Sequence, residues 1–170
     1  MTKEDMLDLY DLYKIFYEKY HKNKNLFFSR QRWSELFSLI SKGRSELWRV
    51  VGITPNALEI YQSNTFKKNT KGLVRGHIEM RIKTFDIFFN TDHLLNFEQF
   101  WKKLKKLDPV VIMTREENKN HEVPKYIKIE NPKGLFFSNF GTNWKVSDTD
   151  VLLLKKLFKE NHATNRSRIK

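Results

Sequence analysis

Apolar residues along this chain return every three or four positions in some stretches. In others they run together or alternate with polar ones, and the two periods separate helices from strands. Met6, Leu9, Tyr10, Tyr13, Phe16, Tyr17 and Tyr20 recur at helical spacing, which predicts a helix over 2–20. Thr2 with Asp5 supplies a capping box for it. Its four tyrosines could stack on bases, but a buried stripe with hydroxyls at the rim is the simpler expectation. Lys22-Asn23-Lys24-Asn25 breaks the pattern. Ser29 then caps a second helix, with Trp33, Leu36, Phe37 and Ile40 inward and Gly43 as its stop. Residues 1–43 therefore read as a helical hairpin lobe.

The clearest helix follows Asn96, where Phe97, Phe100, Trp101 and Leu104 stand at i, i+3, i+4 and i+7, and Gln99 completes a capping pattern. Its outer side carries Lys102, Lys103, Lys105 and Lys106, and Asp108-Pro109 ends it. The run from His77 to Phe89 fits either period; its length favours a helix, which would place His77 and Arg81 on one face beside Arg75. Val110–Met113, Val123–Glu130 and Leu135–Phe137 read as strands, the last two as a hairpin around Asn131-Pro132-Lys133-Gly134. The polar stretch 114–122 reads as a loop. Ser147 caps a last helix, with Asp150 at its third position and a Val146–Val151 staple. The expected fold class is α+β: helices at both ends around a small, mostly antiparallel sheet. One domain would span 1–160, with its main body at 44–160 and a mobile basic tail at 161–170.

Leu47 to Asn64 completes the pattern as two short helical pieces meeting at Gly52-Ile53-Thr54. Gly52 can end the first in a left-handed conformation, Thr54 can cap the second, and Pro55 fits its first position. Ala57, Leu58 and Tyr61 share the inner face, and Lys67, Lys68 and Lys71 follow. This stretch resembles a DNA-binding helix-turn-helix. The resemblance implies that Asn56, Glu59 and Gln62 face base edges in a major groove. The plainer alternative is a helical corner in an α/β domain, with those residues in solvent.

Charge adds the choice of partner. Lys and Arg number 32 against 20 Asp and Glu, a net +12, which attracts polyanions. The expected partner is nucleic acid, double-stranded DNA first. Arg75, His77 and Arg81 could hold phosphate, as could Lys67, Lys68, Lys71 and the row Lys102, Lys103 and Lys106. There is no cysteine, which excludes disulfides and thiolate metal sites and suits a cytoplasmic setting. No apolar run is long enough to span a bilayer, so no membrane partner is expected.

Two constellations could carry chemistry. Asp108 with Glu117-Asn118-Lys119 matches the residue types of magnesium-dependent nucleases. There two carboxylates, here Asp108 and Glu117, hold the metal, and a lysine, here Lys119, positions water. Asp92-His93 with Asn118 and His121 could instead form a histidine-metal nuclease site. No phosphate-binding loop, dinucleotide fingerprint, zinc-protease helix or nucleophile elbow is present, so the cofactor expected is none, or magnesium if the protein is a nuclease. DNA binding, a metal-dependent endonuclease and a protein–protein adaptor are the three readings carried forward.

Overall fold

The fold is α+β, and a computed structural model describes residues 2–23, 47, 49–68, 71–79, 81–120, 124–130, 136 and 146–167, with the side chains of 81, 82 and 163–167 left aside. In chain order the elements are α1 (Lys3–Lys22), β1 (Val50–Ile53), α2 (Pro55–Ser63), β2 (Leu73–His77), α3 (Arg81–Phe89), α4 (Phe97–Leu107), β3 (Val110–Thr114), α5 (Arg115–Lys119), β4 (Ile127–Lys128) and α6 (Asp148–Ser167). The strands form one sheet in the order β2-β3-β1-β4. β1 and β3 run parallel, while β2 and β4 flank them antiparallel.

Three helix starts follow the expected capping chemistry. Thr2 with Asp5 and Asn96 with Gln99 each satisfy two backbone amides reciprocally. Ser147 and Asp150 do the same at α6. The Asp150 carboxylate also accepts from the Ser147 hydroxyl and the Phe136 amide, so this buried charge is fully used in shaping a loop. α6 continues to Ser167, past the point where the sequence suggested a tail.

The strand and helix assignments change in four places. β1 occupies Val50–Ile53, where a helix was expected, so Gly52 ends no helix but lies within the sheet. Its lack of a side chain matters for packing: a Cβ there would collide with the Tyr126 ring and come within 2.9 Å of the Ile127 carbonyl oxygen. The run from His77 to Phe89 is not one helix, because Leu73–His77 pairs along the whole of β3 before α3 begins. Helix holds only for Arg81–Phe89, and the alternation at 77–83 touches the strand only at His77, whose pairing with β3 fixes the strand from Leu73 onward. The polar stretch after β3 is helical over Arg115–Lys119, and strand pairing in 123–130 shrinks to Ile127–Lys128, against β1. The second helix expected after Ser29, and the hairpin partner at 135–137 apart from Phe136, lie outside the described residues.

Two cores result. One is helical, joining Leu9, Tyr13 and Tyr17 of α1 to Phe85, Phe88 and Phe89 of α3 and Phe100, Trp101, Leu104 and Leu107 of α4. The other lies between the sheet and α2 with α6, from Ile53, Val110 and Ile112 to Leu58, Tyr61 and Leu154. The tyrosine stripe of α1 is core, not a base-stacking platform. Tyr10, Tyr13 and Tyr17 donate to the carbonyls of Leu95, Phe88 and Thr91, and Tyr20 to the Asn90 side chain. The stripe thus fastens α1 to the end of α3 and to the α3–α4 connection, and Tyr13 satisfies a carbonyl in the last turn of α3 that helix geometry leaves open. Tyr13 stacks on Phe100 at 4.7 Å, and burial drives its hydroxyl pKa well above the ordinary range.

Tyr13→Phe should destabilise the fold by about 1–3 kcal/mol, because the Phe88 carbonyl loses its donor inside the core. Urea denaturation monitored by circular dichroism measures this, and an unchanged midpoint would contradict it.

Candidate nucleic-acid interface

Most of the described residues singled out by sequence fall at two opposite ends of the sheet. β1 and β3 run parallel, so their starts share one end and their finishes the other. At the finishing end, β1 leads into α2 and β3 leads into α5. At the starting end lie Arg49, the last turn of α4, Asp108 and, because β2 is antiparallel, His77.

At the finishing end Glu117 is a structural residue. Its carboxylate accepts from the Thr114 amide at 2.8 Å, completing a capping box at α5. It also accepts from the Thr54 hydroxyl at 2.8 Å and the Asn56 amide at 3.0 Å. Thr54 in turn caps α2. One carboxylate therefore ties together two neighbouring helix N-termini, where negative charge is electrostatically favoured. Thr114 followed three residues later by Glu117 is a capping signature legible in the sequence. Asn118, on the same short helix, places its side-chain oxygen 2.7 Å from where a Cβ on Gly76 would stand, so α5 lies close against β2. Lys119 is exposed.

The structure does not bring Asp108 and Glu117 together. The five residues of β3 separate them, a span of about 16 Å at strand rise. Among the described residues no three His, Asp or Glu side chains converge as a metal site. Nor does His93 join Asn118: it sits exposed in the turn between α3 and α4, which the tyrosines tie to α1, while Asn118 rests on β2. His121 and the Arg81 side chain lie outside the described residues. Asn56, Glu59 and Gln62 are exposed on α2, as expected, but the Asn56 amide is engaged by Glu117.

At the starting end the structure unites three residues that the sequence placed in different roles. Arg75 and His77 are two apart on β2, so both point to one face, that of Ile112 and Val110, their partners on β3. Asp108, the C-cap of α4, is 3% exposed, and its Oδ1 lies 3.6 Å from His77 Nε2. Burial pushes the Arg75 guanidinium down to about 10, while the nearby Asp108 charge works against that fall. Arg75 thus remains a cation at neutral pH. Reading Arg75-Gly76-His77 as strand would have shown that the two basic side chains share a face; their pairing with Asp108 is long-range and left no local trace.

The lysine row leads to this cluster. α4 is strongly two-faced, burying Phe100, Trp101, Leu104 and Leu107 while Lys102, Lys105 and Lys106 are exposed and Lys103 half-exposed. Arg49 donates to the Lys105 carbonyl at 3.2 Å and so joins the same end, a role the sequence did not signal. Lys14, Lys68 and Lys156 sit against Asp11, Asp148 and Glu160. Among the described residues, none of the four α4 lysines pairs with an acid. Lys67 and Lys71 are exposed in the connection from α2 to β2.

Compared with protein-family models, curated proteins and solved structures, the chain matches none. None of the described helices is long and apolar enough to cross a membrane.

Glu117→Ala should lower stability by about 1–3 kcal/mol, since Thr114 loses its cap partner and two side-chain donors lose their acceptor. Polyanion binding should be unaffected. A thermal melt alongside a heparin-column elution tests both; unaltered stability would remove the structural role assigned to Glu117.

Proposed function

We propose that the protein binds double-stranded DNA through Lys102, Lys103, Lys105 and Lys106 of α4, with Arg49 beside them. The observation that carries this reading is the row of lysines on a rigid helix with no acidic partner among the described residues, while Lys14, Lys68 and Lys156 are paired. Unneutralised cations held at fixed spacing release condensed counterions when they meet phosphates, and this drives association. The helix needs no rearrangement to present them, because its opposite face is locked in the aromatic core.

Contacts of this kind carry no base information. The side chains suited to reading bases, Glu59 and Gln62 on α2, belong to the helix that starts from the other end of the sheet. What stands of the helix-turn-helix resemblance is α2 with its Thr54 cap, preceded by a strand. The proposed mode is therefore dominated by backbone contacts, with little preference among sequences. An adaptor role leaves the uncompensated row without a purpose.

Replacing Lys102, Lys103, Lys105 and Lys106 together by Gln should weaken duplex binding at least tenfold near ~50 mM salt. It should also reduce the slope of log affinity against log salt by about 3–4, roughly 0.9 for each phosphate no longer neutralised. Fluorescence anisotropy over a salt series checks this. Equal slopes for the two proteins would overturn the assignment.

A further inference from the structure

We propose that the outer face of α1 pairs with α1 of a second copy of this chain, antiparallel about a two-fold axis, to form a dimer. The inference stands apart from the DNA-binding reading and does not depend on it.

Four large apolar side chains are exposed among the described residues, and three of them, Leu7, Leu12 and Ile15, lie on α1. The tyrosine stripe already fills the inner face of this helix, so the core does not call for a second apolar surface there. Leu12 and Ile15 are 39% and 52% exposed and stand outside the buried stripe of Leu9, Tyr13 and Tyr17. They belong to a row, Asp8, Leu12, Ile15, Lys19 and Lys22, that advances by alternate steps of four and three residues. This is the spacing by which one helix lays a continuous seam against another. All five side chains are exposed.

The charges on the seam select the partner. From the first turn, which carries Glu4 and Asp5, the row runs acidic, then apolar, then basic. Reversed in direction, it is its own complement. Antiparallel pairing sets Leu12 beside the partner's Ile15, and Ile15 beside the partner's Leu12. It brings Asp8 to the partner's Lys19, and Lys22 to the acidic first turn of the other helix. A parallel pair would set each charge against its own kind, and like charges in contact repel. One patch matched to itself in this way is what an isologous two-fold interface needs. Among the described residues Asp8, Lys19 and Lys22 make no ion pair within the chain, whereas Asp11, at the flank, is held by Lys14. The apolar part of the seam is short, so the association is weak and depends on concentration.

The test is sedimentation velocity on the full chain from ~5 to ~500 µM in about 0.15 M salt. The expected result is a shift from monomer toward dimer across that range. Ile15→Lys should abolish the shift while leaving the thermal melt native, because the side chain lies on the surface. Lys19→Asp should weaken the dimer about tenfold or more, by setting an acid against Asp8. Adding Asp8→Lys to that variant should recover the dimer, since the opposed charges are then exchanged. A protein that stays monomeric throughout, which would leave the face to another segment or another kind of protein, would overturn the proposal. So would a dimer that Ile15→Lys leaves intact, or one that the second charge reversal fails to recover.

Discussion

A carboxylate removed from water must be compensated by charge or hydrogen bonds, and Asp108 is almost fully buried where three elements meet. It ends α4, lies one residue, Pro109, before β3 and faces the last residue of β2. The Arg75 cation attracts its charge, and His77 Nε2 stands 3.6 Å from Oδ1. Strand β2 can bring both inward because its alternation places them on one face, while Gly76 between them leaves room for α5 on the other. The same constraint fixes where α4 stops, and so the end of the sheet toward which its lysines lead.

The two ends of the sheet divide the polar chemistry. At one end Glu117 holds α5 and α2 by their caps, a closed arrangement in which the carboxylate has its acceptor capacity taken up by local donors. At the other end the charges are mostly positive and, along α4, not neutralised by neighbours among the described residues. A saturated network stabilises and does little else. An uncompensated one costs some self-repulsion, and a phosphate polymer would relieve it.

Local signals in the sequence are reliable where one element contains all of its own evidence. The capping boxes at Thr2 and Asn96, the aromatic stripes of α1 and α4, and the buried run Val110–Met113 each appear as expected. Reading fails where tertiary pairing overrides local preference. Val50–Ile53 follows no visible alternation, because a central strand flanked by β3 and β4 on its two edges needs none. Asp108 is legible as a helix stop and as a chemically interesting acid, but nearness along the chain points from it to Glu117 and Lys119. The fold instead supplies Arg75 and His77 from a strand more than thirty residues earlier. The lysine row is legible in full; that it lacks acidic partners among the described residues is visible only in the fold.

The most direct measurement is lysine footprinting: brief acetylation of the free and duplex-bound protein, with each site quantified by mass spectrometry. The account predicts protection of Lys102, Lys103, Lys105 and Lys106, with Lys14 and Lys156 modified equally in both samples. Uniform protection across all lysines, or none on α4, would contradict it.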